Sequence, residues 1–318
     1  MSASYAHILL TREINNPASL SSLHMTIQEA IAFNSPFVEL GAISPDLPAL
    51  SRENKLQECW TNFMHAAYTK KLVESGVNHI IQSLDIGEDK STLYKKIAWF
   101  FGYVSHIVTD TTIHPIVNSI NNADYQKDPE KHVECEMHQD SHIFYKLTKL
   151  PPEKRASFFS NGVGECIDKR SRYYSRRLDN DISIIWDKML NETFPDHYKM
   201  APPEFDNWYK RFTISLSKVA EFASQFACCR NNIEIAKGKT FPTLEEISNN
   251  YISNIVTPTG KVMSYFELFN IAKINTLGIW KNISDAIFID NSLIGSIIDN
   301  WDLMSGNLPD GKSVFWET

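Results

Sequence analysis

The sequence has few cysteines, few glycines and no excess of positive charge, and each shortage excludes a class of protein. Its five cysteines are an odd number without a CxxC pair, so a disulfide framework is not expected and a reducing compartment is indicated. With 12 glycines and 14 prolines among 318 residues, the chain is neither collagen-like nor of low complexity. A formal net charge of −7 disfavours a dedicated nucleic-acid binder, because such proteins neutralise phosphates with Lys and Arg.

Long apolar runs are also missing from the sequence. No stretch approaches the roughly 20 apolar residues that span a bilayer, so we do not expect an integral membrane protein. The first seven residues, MSASYAH, have neither the basic start nor the apolar centre of a secretory signal peptide. Synthesis in the cytoplasm is therefore the expectation.

What the sequence does contain is helical periodicity. Between Ser91 and Val108, apolar residues recur three and four positions apart, and similar patterns follow along the chain. Strand-like alternation is sparse, so we predict an all-α protein. A composition break at residues 150–154, LPPEK, separates a helical core in residues 1–150 from residues 151–318. The helices of this second part are expected to pack on the core, and a lid or a membrane-contact surface is the alternative interpretation.

The histidines are unevenly spread, and nine of the ten fall within the first 142 residues. His106, Asp110 and His114 are spaced four apart, so on a helix their side chains point the same way. His132 and Glu136 repeat that spacing downstream. Burying an unpartnered polar group costs about 2–7 kcal/mol, and a divalent cation bound by imidazole and carboxylate offsets that cost. The combined pattern predicts a metal site, although each histidine alone would be interpreted as structural.

Other residues are ambiguous by themselves. Asp46 follows a proline in a turn-rich segment, where an aspartate is usually a helix cap. His7 and His65 each stand in an apolar stretch and, taken singly, would be core histidines. His138 and His142 are again four apart, so they are alternative ligands if the helix has a different register.

Taken in order, these segments resemble the zinc-dependent phospholipase C family, nearest the catalytic domain of glycosylphosphatidylinositol-specific phospholipase D. S1/P1-type nucleases are more distant relatives. The matching stretches cover roughly the first 145 residues and imply a compact helical domain with two or three Zn²⁺ ions. By this resemblance, Asp46 is the base that activates the attacking water, and Asp140 fixes the orientation of a ligand imidazole. The implied ligands of the zinc ions are His65, His106 and Asp110 for the first, His114, His132 and Glu136 for the second, and Asp110 with His7 for the third.

The resemblance also implies a phospholipase C, a phosphoric diester hydrolase that contacts a membrane surface peripherally. It would cleave glycerophospholipids to diacylglycerol and a phosphorylated headgroup, with a zinc-activated water of pKa about 7. The alternatives are a zinc-dependent nuclease or nucleotidase, which the acidic charge disfavours, and a catalytically silent lipid-binding relative, which the complete ligand set disfavours. Because a phospholipase without a signal peptide would threaten its own cell, we expect export by a specialised secretion system.

Overall fold

The computed structural model describes residues 4–51, 54–66, 68–122, 127–154, 158, 162–169, 177–221 and 241–316. The predicted all-α class is confirmed: over these residues the sheet consists of two antiparallel two-residue strands, β1 (Ile255–Val256) and β2 (Val262–Met263). The α-helices of the described residues are α1 (Ser4–Ile14), α2 (Pro17–Leu20), α3 (Met25–Phe33), α4 (Ser35–Ile43), α5 (Lys55–Ala66), α6 (Thr69–Asp85), α7 (Lys90–Asn121), α8 (Pro129–Thr148), α9 (Asn180–Thr193), α10 (Pro195–Met200), α11 (Phe205–Glu221), α12 (Asn249–Ile252) and α13 (Tyr265–Phe288).

Helix α7 is the centre of the fold. Asp89 caps its start by accepting hydrogen bonds from the N–H groups of Ser91 and Thr92. Every residue from Ile97 to His114 is buried, so the helix needs partners on all sides. Helices α3, α4, α6, α9 and α13 pack around it. Polar side chains in this stretch are consequently held away from water.

Two glycines allow α4 and α7 to approach closely. A Cβ atom at Gly41 would lie 2.0 Å from a main-chain carbonyl oxygen of α7, and one at Gly102 would lie 2.0 Å from a carbonyl oxygen of α4. Only a residue without Cβ fits at either place. The approach has a consequence beyond packing, because it brings the carbonyl oxygen of Ala42 to 2.9 Å from Nδ1 of His106.

We expect Gly41→Ala to lower the thermal unfolding midpoint by about 5 °C or more, because the two helices must separate to admit the methyl group. Gly278→Ala in α13 is the matched control, since a Cβ there meets nothing within 4 Å. Alanine favours a helix over glycine by about 1 kcal/mol, so this midpoint should stay or rise. Calorimetry measures both, and equal midpoints would contradict the close approach.

The second part of the chain also contributes to the core. Helix α13 begins with a capping box between Ser264 and Glu267 and lies along α7. Its Trp280 is fully buried and donates its indole N–H to the carbonyl oxygen of Phe101 at 2.9 Å. Among the described helices, none has the length and apolarity required to cross a bilayer.

Candidate metal centre

The eight residues singled out in the sequence come together from five separate elements. Helices α1 and α5 contribute one histidine each, α7 and α8 contribute the two spaced motifs, and the 3₁₀ segment Ser44–Leu50 contributes the aspartate. All eight side chains are buried, and the most exposed of them, Asp46, has 7% of its surface accessible. The structure thus places them in a common interior site, as listed along the chain: His7, Asp46, His65, His106, Asp110, His114, His132 and Glu136.

Asp110 lies at the centre of this site, close to four histidines. Its Oδ1 lies 3.1 Å from Nε2 of His7 and 3.6 Å from Nε2 of His114. Its Oδ2 lies 3.2 Å from Nε2 of His106 and 3.4 Å from Nε2 of His65. The four-residue spacing on α7 therefore does put its two histidines beside the aspartate, while the other two imidazoles arrive from α1 and α5.

The ligand atoms form three groups, in each of which they lie within 4.8 Å of one another. These are His7, His106 and Asp110; Asp46, His65 and His106; and His114, His132 and Glu136. The third is the set that the resemblance implies for one zinc. In the second group Asp46 joins His65 and His106, with 3.3 Å between Oδ1 of Asp46 and Nε2 of His65. The set that the resemblance implies, His65 and His106 with Asp110, is also close, because Oδ2 of Asp110 lies 3.4 Å and 3.2 Å from their Nε2 atoms. Sequence reasoning treated Asp46 as a base alone, and no local pattern could have indicated this neighbour.

Three imidazoles are oriented by main-chain carbonyl groups. A carbonyl oxygen only accepts, so the facing Nδ1 carries a hydrogen and Nε2 is the nitrogen left to bind a cation in the cluster. This is the usual arrangement of a histidine that binds a metal. The pairs are His65 with Thr61 at 2.7 Å, His106 with Ala42 at 2.9 Å and His114 with Leu303 at 2.6 Å.

Several buried atoms of the cluster form no hydrogen bond. They are both carboxylate oxygens of Asp46, Oδ2 of Asp110, Oε2 of Glu136 and Nε2 of His114. Such atoms are costly when unpaired, and each needs an explanation. A divalent cation satisfies nitrogen and oxygen atoms together, and imidazole with carboxylate is a donor set that zinc accepts. The residues present therefore fit zinc.

The electrostatics of the cluster also favour a cation. Burial by itself lowers the pKa of His65, but the adjacent carboxylates of Asp110 and Asp46 outweigh it and raise the pKa to about 10. Burial raises the pKa of Asp110, but the charges of His114, His106 and His7 outweigh it and hold the pKa well below its usual range. The carboxylates thus stay ionised inside the protein, and the cluster attracts positive charge.

Asp140 has a role in the structure that the sequence did not indicate. Its carboxylate accepts hydrogen bonds from the N–H groups of Tyr5 at 3.2 Å and Ala6 at 2.9 Å, at the start of α1. It therefore anchors the helix that carries the first histidine of the site. The alternative ligands His138 and His142 belong to none of the three groups found among the described residues.

A narrow cavity adjoins the cluster, and residues outside the sequence motifs complete its wall. Gln139 and Thr109 line it together with Tyr265, the first residue of α13. Burial raises the pKa of Tyr265, and the charges of Asp140 and Glu136 raise it further, so the phenol keeps its proton. Tyr265 was missed in the sequence because only the packing of α13 brings it to the cavity.

Among the comparisons with known proteins, a family model gives a match. The model of a family described as zinc dependent phospholipase C matches residues 6–214, which is more than half of the chain and includes all eight clustered residues. Neither a curated protein nor a solved structure gives a significant match. Tyr265 and Leu303, which contact the cavity and His114, lie beyond the matched residues.

Proposed function

The chain belongs to the zinc-dependent phospholipase C family, and on that premise we propose that it hydrolyses glycerophospholipids at a membrane surface. The proposed products are diacylglycerol and a phosphorylated headgroup. The observation that carries the proposal is the convergence of three ligand groups on one buried site, with Asp110 within reach of two of them. Phosphodiester hydrolysis needs a strong nucleophile near neutral pH and positive charge around phosphorus, and such a site can hold the ions for both.

The residues would hold two or three zinc ions. When bound, zinc lowers the pKa of water to about 7 and balances the charge that develops on the phosphoryl oxygens. The proposed ligand sets are His114, His132 and Glu136 for one ion, Asp46, His65 and His106 for another, and His7 with Asp110 for a third. Oδ2 of Asp110 also lies 3.4 Å from Nε2 of His65, so this carboxylate is close to two of the sets.

We assign Asp46 the role of the base that orients and deprotonates the attacking water. Both of its oxygens are buried and free of hydrogen bonds, so one oxygen can serve as a ligand while the other receives a proton. The water oxygen forms a bond to phosphorus, and the bond between phosphorus and the diacylglycerol oxygen breaks. The departing diacylglycerol oxygen takes up a proton. Asp110 and the imidazoles keep the geometry around phosphorus fixed.

Cleavage of mixed phospholipid vesicles in ¹⁸O-labelled water tests this function. We expect diacylglycerol without label and a phosphorylated headgroup with one labelled oxygen, because attack on phosphorus leaves the label on the headgroup phosphate. Mass spectrometry of both products is the measurement, and the Asp110→Asn protein is the control for contaminating activity. Release of phosphatidic acid would contradict the proposed bond. Cleavage of single-stranded DNA or nucleotides without lipid turnover would favour a nuclease or nucleotidase instead.

A further inference from the structure

A short segment beyond the family match contacts the metal centre; we name residues 299–316 the C-terminal loop. Leu303, in this loop, is fully buried. Its carbonyl oxygen lies 2.6 Å from Nδ1 of His114, and its N–H donates to the carbonyl oxygen of His65 at 2.8 Å. One residue of the C-terminal loop thus contacts two candidate ligands that come from different helices.

The C-terminal loop is attached to the core on both sides of Leu303. The hydroxyl of Thr69, at the start of α6, accepts the N–H of Trp301 at 2.7 Å and lies 3.0 Å from the carbonyl oxygen of the same residue. On α7, the side-chain amide of Asn118 donates to the carbonyl oxygen of Met304 at 2.9 Å. The indole of Trp316 donates to a main-chain carbonyl oxygen of α7 at 2.8 Å. These hydrogen bonds fix the position along α7 at which the C-terminal loop crosses the helix.

The sequence of α7 provides a place for this crossing. Pro115 directly follows His114 and has no N–H, so the carbonyl oxygen of Thr111 lacks its usual helical donor. Gly306 lies against this opening with a φ of 70°, and a Cβ there would be 2.3 Å from Cγ of Pro115 and 2.5 Å from that oxygen. Only glycine fits both the left-handed backbone and the close approach.

We propose that the C-terminal loop is a positioning element of the metal centre and that Leu303 orients the imidazole of His114. The carbonyl oxygen keeps the hydrogen on Nδ1, so Nε2 presents its lone pair 3.3 Å from Oε1 of Glu136. The N–H of Leu303 holds the end of α5, where His65 is located. The inference rests on the proposed function only for the identity of the metal.

Gly306→Ala, compared with Gly311→Ala, tests the inference. Both glycines have left-handed φ values, 70° and 86°, so alanine is strained at each, but a Cβ at Gly311 meets nothing within 4 Å. We expect Gly306→Ala to weaken binding of one zinc ion by about ten- to a hundredfold, measured by competition with a chelating dye. The visible absorption of the cobalt-substituted protein should change as well. Gly311→Ala should match the unaltered protein in both measurements, and equal affinities and spectra in the two variants would overturn the inference.

A second pair of variants tests the same inference if the Gly306→Ala protein does not fold. Thr69→Val removes the hydroxyl that holds the C-terminal loop with little change in shape, and Thr69→Ser keeps it. We expect the valine variant to lose zinc affinity and the serine variant to retain it; unchanged affinity in Thr69→Val overturns the inference. These readouts do not depend on lipid hydrolysis, so a protein that binds zinc but cleaves no phospholipid contradicts the proposed function alone.

Discussion

Replacing Asp110 by asparagine is expected to lower kcat/KM for phospholipid hydrolysis by at least about a thousandfold, or about 4 kcal/mol of transition-state stabilisation. The carboxylate lies within 3.4 Å of the Nε2 atoms of His7, His65 and His106. An amide keeps the shape but loses the charge and one acceptor oxygen, so the ligand groups that meet at Asp110 are both weakened. Steady-state kinetics together with zinc content per chain measure the effect.

Asp179→Asn is the matched control for this variant. Asp179 is also a buried carboxylate, and its Oδ2 lies 2.8 Å from Nζ of Lys95, away from the metal centre. We expect this variant to lose some thermal stability while retaining hydrolysis within about threefold, because it weakens a partly buried ion pair without touching a ligand. Circular dichroism should show similar helix content in both variants. Undiminished turnover in Asp110→Asn would contradict the assignment of the site.

Removal of bound metal by a chelator is expected to abolish hydrolysis and to lower the thermal midpoint by about 10 °C or more. Without a cation, the buried oxygens of Asp46 and Nε2 of His114 have no hydrogen-bond partner, and the ionised carboxylates repel one another. A ligand at a thousand times its Kd stabilises by about 4 kcal/mol per site. Each kcal/mol corresponds to about 1.5 °C for 318 residues, since the unfolding entropy is about 2.1 cal/mol/K per residue, so two bound ions give the expected shift. Calorimetry before and after chelation measures the shift.

Adding different cations back to the metal-free protein tests whether the effect is specific to zinc. Zinc should restore both the midpoint and hydrolysis, whereas magnesium should restore neither, because it prefers oxygen ligands in an octahedron to imidazole nitrogen. The Asp110→Asn protein should show a smaller shift on chelation than the unaltered protein. A metal-free protein with the same midpoint as the zinc-loaded one would contradict a metal centre that stabilises the core.

The α7 and α8 motifs could be predicted because their geometry is local. Residues four apart on a helix lie on one face whatever surrounds them, so His106, Asp110 and His114 had to converge once α7 formed. The same holds for His132 and Glu136, with 3.1 Å between Nε2 and Oε1. The all-α class could be predicted for the same reason, since it follows from periodicity along the chain.

The grouping across elements could not be predicted in this way. The place of Asp46 beside His65 depends on how the segment Ser44–Leu50 packs on α5. The hydrogen bonds of Asp140 to the start of α1 join residues about 135 positions apart in the chain. Both relations join parts of the chain that no periodic pattern connects.

The sequence by itself determined the helical class, the chemical nature of the donors and their alignment within each helix. Only the tertiary structure decided that Asp46 shares a group with His65 and His106, and that Tyr265 and Leu303 from later in the chain complete the site. The physical reason is the range of the interactions. Backbone hydrogen bonds fix neighbours within about one turn of helix, whereas contacts between elements follow from close packing of the whole core around α7.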